Sequence, residues 1–400
     1  MALTKRSAAV LTRRQFLVGT TATVGTLVLG CSLSQVATPT PAPSRTPDPT
    51  SPPATPTPKP APTLTPVPLR RRAAQMLVAG FPGRAVTQDD PIMRAIRDDG
   101  LGGVILFARN IESPAQLAVL TATLRAAAGE RTLLIAIDQE GGAVARLNPD
   151  SGFPATPTAA KVGRRNDPEY ARQVGTAIAG TLAQAGINLN LAPVVDLNIN
   201  PDNPSIGALG RSFSADSDVV VAMAAEFITG QRAGAVLTTL KHFPGLGSAT
   251  GDTDREFVDI TATWTEAELE PFRRLIAGGQ ADLVMVSNAL NGQLDLRNPA
   301  SLSAPTLNLL RDDLGWDSVV ITDDLMAGAL ADNYTADEVL RRAIRAGNDL
   351  LLLANTAREA TDVVQPALDA IEGMVAAGQL DVALIDAAGT RIARLFASSG

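Results

Sequence analysis

From Leu69 onward, apolar runs of four to eight residues alternate with longer segments whose apolar positions return every three or four residues. Runs of the first kind read as buried strands, and segments of the second kind as helices packing one face. The spacing predicts strands over Gln75–Phe81, Gly103–Phe107, Thr132–Ile137, Asn188–Val195, Ala235–Leu240, Leu283–Val286, Ser318–Ile321 and Asp349–Leu353. It predicts helices over Pro91–Asp99, Pro114–Ala128, Asp167–Ala185, Val219–Arg232, Glu266–Ala277, Ala304–Leu314 and Ala336–Ala346. Eight strands alternating with helices over roughly 330 residues predict a (β/α)8 TIM-type barrel, with a doubly wound open sheet as the competing arrangement. No Gly-x-Gly-x-x-Gly follows the first strand, which counts against dinucleotide binding.

Before Leu69 the texture differs. Residues 1–31 begin with Lys5, Arg6, Arg13 and Arg14, and Thr12-Arg13-Arg14-Gln15-Phe16-Leu17 looks like a twin-arginine export signal. The apolar run from Leu17 to Gly30 is short for a bilayer span, which needs about 20 residues. It ends Val28-Leu29-Gly30-Cys31, resembling a bacterial lipobox, which implies cleavage before Cys31 and lipidation of that thiol. Residues 32–68 are Pro, Thr, Ser and Ala almost throughout. They cannot bury enough apolar surface to fold and are expected to form a disordered, polyproline-like tether. At about 3.1 Å per residue such a tether reaches on the order of 100 Å when fully extended. The barrel is expected over residues 69–400, with no second folded domain after it. The expected location is the outer face of the cytoplasmic membrane or the cell envelope, held by the lipid anchor alone.

Composition narrows the chemistry. A formal net charge of −7 offers no basic surplus for nucleic acid. A single cysteine excludes an intramolecular disulfide and a Cys-based zinc cluster, and a single histidine excludes His-rich metal sites. No metal and no organic cofactor is implied, and a monomer is expected.

Polar residues follow most of the strands: Asp138-Gln139-Glu140, Asp196, Lys241-His242, Ser287-Asn288, Asp323-Asp324 and Asn355. One such residue is ordinarily a helix cap. Six groups at strand C-termini converge on one mouth if the fold is a barrel. The apolar run Gly234–Leu240 delivers Lys241 and His242 into the loop Phe243-Pro244-Gly245-Leu246-Gly247, which closes in acidic sequence. The predicted pocket holds the carboxylates Asp138 and Asp323, with Asp196 and Asp252 or Asp254 as further candidates. Its donors are Lys241, His242 and Asn288, joined by Arg146 and Arg211. Paired carboxylates beside neutral and cationic donors suit sugar chemistry: one attacks the anomeric carbon, a protonated group assists the leaving oxygen, and donors hold hydroxyls. Asn288 is read either as a substrate contact or as a cap, and Trp264 and Trp316 as packing residues.

From about Leu69 to Ala397 the chain resembles glycoside hydrolase family 3, in the single-domain branch of β-N-acetylglucosaminidases that recycle or trim cell-wall sugars. The resemblance rests on Ile137-Asp138-Gln139-Glu140-Gly141-Gly142 with Arg146, Asn190–Asp196, Gly210-Arg211-Ser212-Phe213, Lys241-His242-Phe243-Pro244-Gly245 and Val320–Leu325. It implies that Asp323 is the nucleophile and that Asp138, Arg146, Arg211, Lys241 and His242 bind substrate. It also implies a carbohydrate substrate and a retaining, exo-acting β-glycosidase that removes terminal N-acetylglucosamine.

One departure bears on mechanism. Where the resembling branch has Asp-Ser-His, with the final His as acid/base, this chain has Asp252-Thr253-Asp254. Asp254 is the expected substitute, with Asp252 or Glu256 as alternatives. If the segment is extended, those three side chains point the same way and like charge raises a pKa. Retention requires nucleophile and acid/base carboxyls about 5–5.5 Å apart. The competing readings are a sugar-binding surface lipoprotein of weak or absent turnover, a β-glucosidase, and a glycoside phosphorylase of the same family.

Overall fold

The computed structural model describes residues 67–356 and 359–397. The export signal, the lipobox Cys31 and nearly all of the tether lie outside the described residues.

Among the described residues there are ten strands: β1 Leu77–Gly80, β2 Gly103–Leu106, β3 Leu134–Ile137, β4 Gln139–Gly141, β5 Val144–Ala145, β6 Leu189–Asn190, β7 Leu237–Phe243, β8 Leu283–Val286, β9 Val319–Thr322 and β10 Leu351–Leu353. Eight of them form one parallel sheet in the order β10-β1-β2-β3-β6-β7-β8-β9. A parallel bridge from Ile321 to Leu350 joins its two ends. The Leu352 amide adds a bond to Thr322 Oγ1 at 3.0 Å. The sheet is therefore closed as the (β/α)8 barrel expected. The barrel strands are buried along almost their whole length, which is why they read as continuous apolar runs instead of alternating ones.

The helices form where caps and apolar spacing agree. Helix Pro114–Ala128 begins on Ser113, whose hydroxyl accepts from the Gln116 amide at 3.2 Å, and has proline in its first turn. Helix Ala336–Ala346 has a reciprocal Thr335–Glu338 capping box and stops at Gly347 with φ 102°. Two expected helices change character near their ends. Pro91–Arg94 and Ala304–Asn308 continue as wider π-type turns over Ala95–Asp99 and Leu309–Asp313.

Most strand boundaries shift by one or more residues from expectation, and four strands show why. Gln75 ends a helix, Leu69–Gln75, that buries Ala73 and Ala74, so β1 starts two residues later. The Asn188–Val195 run contributes only Leu189–Asn190 as regular strand, because Pro193 has no N–H for a ladder; Val194 makes one isolated bridge to Lys241. The run ending at Leu240 continues as β7 through Lys241, His242 and Phe243, so both polar residues sit within the barrel wall. Its expected start also moves inward, since Ala235 has φ 55°. β10 likewise begins at Leu351 instead of Asp349, whose carboxylate accepts from Arg311 and Arg391.

Trp264 and Trp316 are buried, as expected for packing residues, with indole N–H groups on the Pro244 and Val319 carbonyls at 3.0 and 3.2 Å. Beneath β7, Phe243 meets Phe272 edge-on at 5.3 Å, a contact worth about 0.5–1.5 kcal/mol beyond its burial.

Candidate active site

The strand C-termini open into a cavity of about 590 Å³. Ile105, Leu191, Met285 and Leu352 contribute its apolar lining. Asp138, Arg146, Arg211, Lys241, His242, Asp252, Asp254 and Asp323 all border it, so the predicted set does converge.

On one side is a buried ionic lattice. Lys241, only 2% exposed, places Nζ 2.7 Å from Asp138 Oδ1 and 2.6 Å from Glu140 Oε1. Arg211 grips Glu140 through two bonds of 2.8 Å. Arg146 Nη2 reaches Asp138 Oδ2 at 3.4 Å, and its buried Nε has no partner among the described residues. Burial alone would raise both carboxyls. Lys241, Arg146 and Arg211 overcome it, holding Asp138 well below the usual carboxylate range and Glu140 at about 2. Lys241 is correspondingly raised: burial opposes its charge, but Asp138 and Glu140 outweigh it. The result is a fixed array of charged donors and acceptors, suited to a polyhydroxylated ligand.

Glu140 was legible only as part of a motif, and its role as joint partner of Lys241 and Arg211 was missed. The available signal was its spacing: Asp138 and Glu140 are two apart, which puts both on one face of extended chain. Gln139 points the other way, exchanging two bonds with the Leu147 backbone.

Two expected pocket groups are spent elsewhere. Asp196 is fully buried: Oδ1 accepts from the His242 and Leu246 amides at 3.1 and 2.9 Å, and Oδ2 lies 2.7 Å from His242 Nδ1. Facing a carboxylate, Nδ1 carries the proton, and Nε2 is left toward Arg211 Nη2 at 3.4 Å. Asp196 therefore orients His242 instead of lining the cavity. Asn288 is neither substrate contact nor cap. Its amide donates to the Asp324 carbonyl at 2.7 Å, and Ser301 Oγ donates to its Oδ1 at 2.7 Å.

Asp323 follows β9. Its backbone amide donates to the Val286 carbonyl at 2.9 Å, and its Oδ1 accepts from the Asp324 amide at 2.8 Å. Among the described residues no side chain donates to it. Asp324 is buried, accepting from the Met326 and Ala354 amides at 3.0 and 2.9 Å. Burial pushes its carboxyl up to about 7 against those two bonds, with Asp323 and Asp254 adding to the rise.

Across the mouth, the Asp252–Glu256 segment is a turn, not extended. The Asp252 carbonyl accepts from the Arg255 and Glu256 amides at 3.0 Å, and its Oδ1 accepts from the Asp254 amide at 3.1 Å. Asp252 pairs with Arg255 at 3.3 Å. Glu256 does not border the cavity. A Gly-Asp-Thr-Asp sequence favours such a turn because the aspartate side chain bonds the backbone two residues on. Asp254 stands free at the rim. Loss of water around its carboxyl, then the like charges of Asp323 and Asp252, push it up to about 6, with Arg211 and His242 pulling the other way. The residue itself is exposed, so solvent screens that repulsion and limits the loss of water.

Two further features escaped the sequence reading. Phe107 carries guanidinium groups of both Arg109 and Arg146 over its ring, at 4.9 and 5.6 Å. Glu268, fully buried, accepts from the Gly247 and Ser248 amides at 2.9 and 3.3 Å and so supports the loop after His242 from below.

The glycosyl hydrolase family 3 N-terminal domain matches residues 68–395. A β-hexosaminidase of Xylella fastidiosa strain M23 is 35% identical over 308 residues, covering 74% of this chain and 87% of that protein. A family 3 β-N-acetylglucosaminidase structure from Paenibacillus sp. FPU-7 superposes with a TM-score of 0.77 at 35% identity, over 83% of this chain. This chain spans 63% of that longer one. The β-N-acetylhexosaminidase structure from Beutenbergia cavernae gives a TM-score of 0.75 at 33% identity, covering 84% of this chain and 99% of that one.

Proposed function

The chain belongs to glycosyl hydrolase family 3, and on that premise we propose that it is a retaining, exo-acting β-glycosidase removing terminal N-acetylglucosamine from cell-wall or related glycans. Asp323 is the nucleophile and Asp254 the acid/base. The observation that carries this reading is the pair of carboxyls bordering one cavity, Asp323 without a side-chain donor among the described residues and Asp254 pushed up to about 6. A carboxyl raised toward neutrality can donate a proton, and a carboxylate bordering the same cavity can attack the anomeric carbon.

In the first step an Asp323 oxygen bonds the anomeric carbon as the glycosidic C–O bond breaks. The Asp254 proton passes to the departing oxygen, and the aglycone leaves as an alcohol. In the second, water attacks the anomeric carbon, Asp254 takes its proton, and the ester bond to Asp323 breaks, returning both groups to their starting state with β-configuration retained. Asp138, Arg146, Arg211, Lys241 and His242 hold the sugar. The sugar is the one in the names of the related N-acetylglucosaminidase and N-acetylhexosaminidase structures.

Product stereochemistry followed by proton NMR on an aryl β-N-acetylglucosaminide tests the reading. The β-anomer should appear first, and Asp323→Asn should abolish turnover while N-acetylglucosamine still binds. First appearance of the α-anomer, or full activity in Asp323→Asn, contradicts it. Binding without turnover in the unsubstituted protein would replace the enzyme with a sugar-binding protein. The twin-arginine-like leader and Cys31 support export and lipid anchoring. Cys31→Ser should move the protein from the membrane fraction to the soluble one.

A further inference from the structure

The loop that carries Asp254 leaves β7 at Phe243 and would be a long excursion if nothing held its far end. Two of the backbone bonds that hold it, those at its acidic tip, come from the start of the short helix Gly328–Ala331 that follows the nucleophile strand. The Gly328 amide donates to the Asp254 carbonyl at 3.0 Å, and the Ala329 amide donates to the Thr253 carbonyl at 3.2 Å. We propose that this pair of bonds is a latch fixing the acid/base loop over the nucleophile, with Gly328 as its positioning residue. The proposal rests on Asp254 being the acid/base.

The donor side is rigid. Between Asp323 and Gly328, Leu325 donates to the Leu352 carbonyl at 2.9 Å, and Ala327 donates to the Asp324 carbonyl at 3.2 Å. That same carbonyl takes the Asn288 amide at 2.7 Å, and the Asp324 carboxylate ties Met326 and Ala354 together. The acceptor side is rigid too, because Asp252 closes the turn that presents Thr253 and Asp254, and Thr253 is only 3% exposed. The nucleophile and the acid/base therefore stand on one hydrogen-bonded unit instead of on independent loops.

Gly328 is required by close approach, not by backbone angle. A Cβ there would lie 2.6 Å from the Arg255 carbonyl carbon and 3.1 Å from its Cα, and nearer still to the carbonyl oxygen. Those are backbone atoms of the loop itself, so any side chain must push the loop off the nucleophile turn. A displacement near 1 Å at a reacting group costs on the order of 100-fold in rate.

Gly328→Ala and Asp254→Asn in the full chain should be compared on aryl β-N-acetylglucosaminides of graded leaving-group acidity. Read as kcat/KM, which reports the first step, Gly328→Ala should keep the best leaving group, which needs no proton, within about threefold. It should lose about 10- to 100-fold on the poorest, in the range expected when general-acid assistance is impaired. N-acetylglucosamine inhibition should not change. An equal fall on every substrate, or no fall, overturns the latch. Amide hydrogen exchange on the unsubstituted protein gives a check that needs no variant: slow exchange at Gly328 and Ala329, matching β9, is expected, and rapid exchange at both overturns the proposal. A silent Gly328→Ala beside a steep Asp254→Asn removes the latch and leaves the acid assignment standing. The reverse pattern keeps the latch and passes the acid role to another group on the loop.

Discussion

Removing the charge of Lys241 isolates the ionic lattice that the sugar would rest on. Lys241→Met keeps the length of the side chain and deletes its ammonium, leaving Asp138 and Glu140 buried with only Arg146 and Arg211 beside them. A unit charge pair near 4 Å is worth about 4 kcal/mol at an effective dielectric of 20, so two such pairs are worth about 8 kcal/mol gross. Relief of the lysine's own desolvation offsets part of that, and breaking a buried pair by deleting one partner costs about 3–5 kcal/mol net. Urea unfolding at pH 7.5 should show that loss. At pH 4.5 the loss should shrink. Without Lys241 the two carboxyls rise toward or above their ordinary values and can take up protons in the folded state, whereas in the unsubstituted protein they stay ionised. A destabilisation below 1 kcal/mol at pH 7.5, or one identical at the two pH values, would refute the lattice as the source of the effect.

Glu268→Gln should change the pH dependence of stability. The Glu268 carboxyl is raised by burial from 4.5 to about 7, so the folded state binds its proton more tightly than the unfolded state does. Its contribution is complete below about pH 4.5 and is lost as pH rises to 7, an interval worth about 3 kcal/mol. Glutamine still offers an oxygen to Gly247 and Ser248, so thermal unfolding should favour the variant increasingly from pH 5 to pH 8; a difference independent of pH contradicts this. Asn288→Ala removes one of the two donors to the Asp324 carbonyl and strands the Ser301 hydroxyl. It should cost about 1–3 kcal/mol in urea unfolding, and no measurable loss would mean that the brace is dispensable.

The barrel was readable because its strands are buried and apolar, and because helices such as Pro114–Ala128 and Ala336–Ala346 carry their own caps. Elements without those signals were misread. Helix Leu69–Gln75 hides in an arginine-rich stretch where only Leu69, Ala73 and Ala74 keep helical spacing. The hairpin of β4 and β5 is too short for any periodicity. The Asn188–Val195 run looked like a strand because composition does not show which residues find a ladder partner. Site residues that touch ligand space, such as Asp138, Lys241 and Asp323, were visible from their place after apolar runs. The roles of residues that satisfy backbone, such as Asp196, Asn288 and Glu268, were not, because their backbone partners lie 20 to 50 positions away. Glu268 sits among Glu266 and Glu270 and reads as a solvated helix start, yet it is the one buried beneath the loop. The Asp252–Glu256 turn shows the same limit: the condition of extended chain fails where an aspartate closes the chain on itself.

The most direct test of the account is the rate of two aryl β-N-acetylglucosaminides, one with a good and one with a poor leaving group, on the unsubstituted protein and on Asp254→Asn. The poor leaving group needs a proton from a carboxyl pushed up to about 6, so its rate should fall as pH rises through that value. Asp254→Asn should lower that rate by about 10²–10⁴-fold, remove the pH limb, and leave the first step on the good leaving group nearly intact. Equal effects on both substrates, or a pH limb that survives the substitution, would contradict Asp254 as the acid.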